Sequence, residues 1–309
     1  MDIPTTHPRP IRPGSTIGIA APAGPVENRD ALDLGIATLQ RLGFKVRFDD
    51  RIFQSLRYLA GPDEARAEEL QRLFEDPGID AILALRGGYG CSRLIPLLDE
   101  RRLRPHCKLF IGFSDLTTLH LFFRRRFGWV TIHGPMAASP VLGNISAGQE
   151  KNLYSLLTDP AYLPRYAFPQ LESWAPGIAE GKLVGGCLSL VTASIGTPYQ
   201  IKTEGKILFL EDLGEAPYRV DRMLTHLRLA GMLDSVAGIL LGEFHDCNPE
   251  SGDYTVEETL RENLVRLGVP ILAKFPAGHG PDNWALPLGV RVRLDCGARE
   301  VEALEAAVS

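Results

Sequence analysis

The sequence predicts an α/β protein, with a parallel sheet and helices on both its faces in the first half and a second, β-rich α/β region after it. Three observations predict this. Short apolar runs alternate with amphipathic stretches from residue 16 to 133, and such alternation needs crossover connections that leave the strands parallel. From Gly181 the texture changes to strong apolar strands and ends in an alternating β pair. The 309 residues are 45% hydrophobic and 23% charged, which suits a globular chain of one large domain or two ordinary ones.

The elements follow in order. Residues 16–21 read as a buried strand, broken by Pro22, Gly24 and Pro25. Leu32, Ile36, Leu39 and Leu42 recur at helical spacing over 30–42, and Gly43 closes that helix. Residues 44–48 alternate like a strand, 63–74 form a helix stopped before Pro77, and 81–85 form a strand leading into Arg86-Gly87-Gly88-Tyr89-Gly90. A strand over 109–113, a helix over 116–127 and a strand over 130–133 complete the first half. Residues 136–180 are looser and punctuated by Pro140, Pro160, Pro164, Pro169 and Pro176. The expected division is therefore an N-terminal domain over 1–160, a connector over 161–180 and a second domain over 181–309. In the latter, 206–210, 238–242 and 271–275 read as strands, 217–230 and 256–267 as helices, and 290–294 with 300–304 as a terminal β pair. Pro217 suits a first helical turn.

Composition excludes several functions. The net charge is −5, so the chain is not built to bind polyanions, and Arg124-Arg125-Arg126 reads as a solvated helix face rather than a nucleic-acid patch. Residues 183–201 carry no charge, but their glycines and Pro198 favour a buried strand-loop-helix over a membrane span. Residues 1–14 lack the apolar core of a secretory signal. The 5 cysteines (Cys91, Cys107, Cys187, Cys247, Cys296) show no C-x-x-C spacing, and their odd number fits a reducing compartment. His245-Asp246-Cys247 lacks partners at zinc spacing, so no metal and no cofactor is expected.

The chemistry concentrates at strand ends, where a rigid sheet can hold side chains around one cleft. Ser114 follows the apolar run 109–113 and opens a helical pattern. Free backbone N–H groups at such a junction stabilise negative charge developing beside the hydroxyl. The same serine also reads as a helix N-cap. A serine nucleophile needs a base, usually histidine, and the histidine needs an acid to fix its tautomer. His279 stands between glycines in a Pro-rich loop after the strand 271–275, and Glu211 follows the strand 206–210. A plain turn is the alternative for His279. Asp212 and Glu215 compete with Glu211, or cap the next helix. The glycine-rich turn 86–90 offers backbone donors to an anion but is not a dinucleotide fingerprint. Its donors could form half an oxyanion hole, the N–H of Asp115 supplying the rest. Arg86, with Gly87 beside it, is a candidate for binding a substrate carboxylate. Leu116 stands where G-x-S-x-G needs its second glycine, which argues against a lipase or esterase.

Four motifs occur in order: Arg86-Gly87-Gly88-Tyr89-Gly90; Gly112-Phe113-Ser114-Asp115; Leu210-Glu211-Asp212 with the run 215–224; and Gly278-His279 with Leu286-Pro287-Leu288-Gly289. Together they resemble the L,D-carboxypeptidase family of serine peptidases, which includes the microcin C self-immunity hydrolases. The resemblance implies a flavodoxin-like N-terminal domain carrying the serine and a β-rich α/β C-terminal domain carrying acid and base. It implies Ser114 as nucleophile, Glu211 as acid, His279 as base, and Gly88 and Asp115 as oxyanion donors. It further implies a cytoplasmic, metal-free homodimer that releases terminal D-alanine from murein tetrapeptide in peptidoglycan recycling. Two other readings compete. One is a microcin-type peptidyl-nucleotide amide hydrolase, for which Trp174 could stack a nucleobase. The other is a non-catalytic small-molecule binder.

Overall fold

The computed structural model describes residues 3–248 and 254–309. In chain order its strands are β1 (Thr16–Ala20), β2 (Lys45–Arg47), β3 (Ala81–Ala84), β4 (Leu109–Gly112), β5 (Thr131–His133), β6 (Arg165–Tyr166), β7 (Glu172–Ala175), β8 (Ile178–Cys187), β9 (Ile207–Leu213), β10 (Gly238–His245), β11 (Ile271–Ala273), β12 (Leu286–Leu288), β13 (Arg291–Asp295) and β14 (Glu300–Ala303). They form two sheets, one of 6 strands and one of 8. The chain divides into two compact units. One holds the chain up to Tyr162 with Trp284–Pro287 and Ala306–Ser309, and the other holds Leu163–Asn283 with Leu288–Glu305.

The first unit carries the sheet β2-β1-β3-β4-β5-β12. Its pairings from β2 to β5 are all parallel. This is the flavodoxin-like strand order, whose switch point lies between the carboxyl ends of β1 and β3. The short strands are apolar throughout because helices cover both faces. Helices Arg29–Arg41, Asp63–Glu75 and Thr117–Phe127 fall where the periodicity predicts them. Asn28 caps the first, its side chain accepting from the N–H of Ala31 at 3.1 Å. Phe110 of β4 packs edge-on to Phe123 of the following helix, with ring centroids 5.1 Å apart, and Phe123 meets Phe74 at 5.2 Å. Burying each such ring stabilises the unit by roughly 1.5–3 kcal/mol, and the cluster fixes the strand that ends at Ser114.

The second unit carries the sheet β6-β14-β13-β8-β9-β10-β11-β7. Its centre, β8-β9-β10-β11, is parallel. Antiparallel strands flank it: β7 on one side, β13, β14 and β6 on the other. The uncharged stretch after Leu183 is the inner half of β8 followed by helix Leu188–Ala193. Among the described residues no helix is long and apolar enough to cross a membrane.

The structure departs from the sequence expectation between 136 and 180. Residues 161–180, read as a connector, supply β6, β7 and the start of β8. The prolines that suggested a loop flank these strands rather than interrupt them, as edge positions permit. Ala147–Thr158 is a helix with a full capping box from Ser146 and Gln149, a signal that its mixed polarity hid. Leu286–Leu288 is a strand of the first sheet despite Pro287, again at an edge.

Candidate active site

In the first unit, β4 ends at Gly112 and Phe113 is extended. Ser114 then takes φ 63°, the left-handed region that costs a non-glycine residue about 1–3 kcal/mol. A single 3-10 turn, Ser114–Leu116, leads into helix Thr117–Phe127. Ser114 does not cap that helix: the cap position is Leu116 and no side chain bonds there. The strained turn instead resembles the elbow that exposes a nucleophilic hydroxyl at the edge of a sheet.

The glycine-rich turn packs directly on this elbow. A Cβ on Gly87 would lie 2.8 Å from both Cβ and Oγ of Ser114, so only glycine fits there. The Gly87 carbonyl accepts from the N–H of Gly24 at 3.0 Å, joining the loops after β1 and β3 at the switch point. Gly88 follows at φ 104° and is exposed. Asp115 turns its carboxylate inward, and its Oδ2 accepts from the N–H of Cys91 at 2.8 Å. Its Oδ1 is buried with no hydrogen bond among the described residues. Burial raises the Asp115 pKa above the ordinary value, against the bonds from Cys91 and the charge of Arg66. Arg86 ion-pairs with Glu27 and donates to the Pro25 carbonyl at 3.2 Å, so its guanidinium is engaged by the loop after β1.

His120 was not singled out from the sequence, yet it braces the end of β4. Its Nε2 lies 2.8 Å from the Gly112 carbonyl and its Nδ1 2.9 Å from Thr131 Oγ1. Burial lowers its pKa to about 4. The neutral ring therefore donates from Nε2 to the carbonyl and accepts at Nδ1 from the threonine hydroxyl. No sequence spacing marks such a residue, because its partners come from two other strands.

In the second unit, Glu211 is fully buried on β9 and faces the loop after β11. Its Oε2 lies 2.8 Å from His279 Nδ1. Gly278, at φ 131°, permits this approach: a Cβ there would meet Glu211 Oε2 at 2.8 Å. The Gly278 N–H bonds Asn283 Oδ1 at 3.2 Å, and Ala277 accepts from the N–H of Glu243 at 3.0 Å. Burial alone would lower the His279 pKa, but the hydrogen bond and charge of Glu211 outweigh it and hold it above the ordinary value. Burial raises Glu211, with His279 opposing.

The competing acids do other work. Asp212 points to the opposite face of β9, as alternation requires. It accepts from the N–H groups of Ser189 and Leu213, each at 2.8 Å, and so serves the start of helix Leu188–Ala193 rather than the helix at Pro217. Glu215 pairs with Arg219 at 3.6 Å. Trp174 lies in β7, with the Arg261 guanidinium over its ring at 4.0 Å. Ser114 with its glycine turn thus belongs to one unit, and the Glu211–His279 pair to the other.

Two family models match this chain: the LD-carboxypeptidase N-terminal domain over residues 17–134 and the LD-carboxypeptidase C-terminal domain over 180–294. The chain belongs to the LD-carboxypeptidase family. It is 35% identical over 305 residues to the probable murein peptide carboxypeptidase of Bacillus subtilis, covering 98% of this chain and 95% of that protein. The solved muramoyltetrapeptide carboxypeptidase of Oxalobacter formigenes is 31% identical, with a TM-score of 0.81, 94% of this chain and 98% of that one covered. The microcin C7 self-immunity protein MccF of Escherichia coli is 27% identical, with 97% of each chain covered. A structure of MccF with glutamyl sulfamoyl guanosine superposes with a TM-score of 0.91 at 25% identity, covering 98% of this chain and 99% of that one. As an LD-carboxypeptidase family member, the protein is a hydrolase of peptidase type.

Proposed function

We propose that this protein is a serine L,D-carboxypeptidase that releases terminal D-alanine from murein tetrapeptide in peptidoglycan recycling. The observation that carries the reading is the 2.8 Å contact between His279 Nδ1 and the buried Glu211. That bond fixes the ring with Nδ1–H toward the carboxylate and leaves Nε2 as the basic nitrogen. In this reading Ser114 attacks the carbonyl of the L-centre, and its proton passes to His279. The N–H groups of Gly88 and Asp115 hold the oxyanion, a term worth ~2.7–4 kcal/mol per donor. His279 then protonates the departing amine of D-alanine. Water repeats the sequence on the acyl-enzyme, restoring the serine. Strain at Ser114 supports the nucleophile's role.

Arg86 is proposed to shape the anion-binding turn through Glu27 and Pro25 rather than to meet the substrate carboxylate alone. The setting that goes with this role is a cytoplasmic homodimer acting on a small peptide without metal or cofactor. The 35% identity to a murein peptide carboxypeptidase, against 27% to MccF, favours murein peptide over a peptidyl-nucleotide. Arg261 over the Trp174 ring also weighs against a nucleobase platform there. Mass spectrometry of murein tetrapeptide and of an aminoacyl sulfamoyl nucleotide, each incubated with wild type and Ser114→Ala, tests the reading. Loss of one alanine with wild type alone is expected. Cleavage of only the nucleotide conjugate would replace murein peptide as the substrate.

A further inference from the structure

The second unit contains a cavity of about 410 Å³ at the carboxyl ends of β10 and β11. Trp174, Glu243, His245, Glu257 and Lys274 supply most of its polar lining. Its charges can be paired off. Lys274 lies 2.5 Å from Glu172 and 3.5 Å from Glu257. Arg261 lies 3.1 Å from Glu172 and 2.9 Å from Glu257. Two cations and two acids thus neutralise one another, and His245 sits 3.5 Å from Asp246. Glu243 remains: half-buried, its carboxylate has no hydrogen-bond or ion-pair partner among the described residues.

The backbone puts Glu243 there deliberately. The register of β10 against β9 shifts between Leu241 and Phe244, a bulge of the kind that re-aims a side chain beside a functional site. The bulged residue also holds the catalytic loop. Its N–H bonds the Ala277 carbonyl at 3.0 Å, and its carboxylate presses on Gly280, where any Cβ would collide with it. Burial raises the Glu243 pKa, and the charges of Asp282 and Glu211 raise it further against His245. An unpaired carboxylate in an acidic surrounding carries a cost that a bound cation would remove.

We infer that Glu243 is a specificity-determining residue that binds a primary ammonium group on the substrate residue acylating the serine. The inference rests on the carboxypeptidase reading, in which a group beside Gly280 lies next to His279 and so near the bond being cut. The chemistry it names is a diamino-acid side chain with a free, charged terminal amine. Lys274, already neutralised and held at φ 61°, walls the same cavity and would meet an accompanying carboxylate only by exchanging Glu172 or Glu257.

The test crosses two enzymes with two substrates. Murein tetrapeptide with a free side-chain amine at its third residue is compared with the same peptide acetylated on that amine, using wild type and Glu243→Gln. Wild type is expected to prefer the free amine by ~10–100-fold in kcat/KM, the range of a charge-assisted contact. The preference should sit in KM and fall close to unity in Glu243→Gln, with Glu243→Asp retaining part of it. Wild type cleaving both peptides equally would overturn the ammonium site and leave the carboxypeptidase reading standing. A full preference retained in Glu243→Gln, or in Glu243→Ala if the glutamine variant melts early, would also overturn it. Wild type cleaving neither would remove the reading itself.

Discussion

Asp115 Oδ2 accepts the backbone N–H of Cys91 at 2.8 Å, so the residue after Ser114 also fastens the far end of the glycine-rich turn. One side chain thereby ties the β4 elbow to the β3 loop. Asp115→Ala leaves that N–H buried without an acceptor and is expected to cost about 1–3 kcal/mol, read as a lower denaturation midpoint. Labelling of Ser114 by a fluorophosphonate should slow with it, since the turn loses its anchor.

The same carboxyl predicts a pH dependence. Its pKa is raised in the folded state by burial, so folding favours the protonated form. Its favourable contribution is complete below the unfolded carboxylate value near ~3.9 and is lost as pH rises through the folded value. Asp115→Asn keeps an amide oxygen for Cys91 and does not titrate. Its melting temperature, measured from acid to neutral pH, should therefore lack that decline and match or exceed wild type at pH ~7.

Ser114 separates strain from chemistry. Ser114→Gly relieves the positive φ and should gain about 0.5–1 kcal/mol after the entropy of the added glycine is counted. Ser114→Ala keeps the strain and should melt with wild type. Both should abolish hydrolysis and covalent labelling. A glycine variant no more stable than the alanine one would show the elbow to be unstrained.

Gly87→Ala addresses the packing behind the hydroxyl. The added methyl would stand 2.8 Å from Ser114 Oγ, too close for an unmoved side chain. A displacement on the order of 1 Å at a reacting group costs ~10²-fold, so kcat should fall by about that factor. A wild-type rate would mean that the serine has room to retreat.

For His279 the direction of the shift can be tested by removing its cause. Glu211 holds the imidazole above the ordinary histidine value despite burial. As a base the ring works unprotonated, so kcat/KM should rise with pH through a midpoint above ~6.5. In Glu211→Gln burial acts alone and favours the neutral ring, moving the midpoint to lower pH while the rate drops. A midpoint that stays put in the variant would separate His279 from the rate profile.

Much of the first sheet was legible because each strand is a short apolar run closed by glycine or proline, as in Ile111-Gly112 and Leu85-Arg86-Gly87. The pairing of Glu211 with His279 could be proposed because both follow apolar strands. Choosing Glu211 over Asp212 needed the alternation of β9 in space. What the sequence hid depends on partners distant in the chain. His120 matters through Gly112 and Thr131, and Glu243 through a bulge and Gly280. Edge strands such as β6 and β12 were obscured by their prolines, which tolerate pairing on one side only.

The backbone visits the first unit three separate times, and its last strand, β12, is drawn from residues 286–288. Asn152 reaches the Ala285 carbonyl at 2.9 Å, and Ser309 donates its N–H to Pro8 at 3.1 Å. A ribosome must therefore translate nearly the whole message before the amino-terminal half can finish its own border. A gene cut after Tyr162 would yield two fragments, neither holding the pieces it needs, and each would have to be made alongside the other.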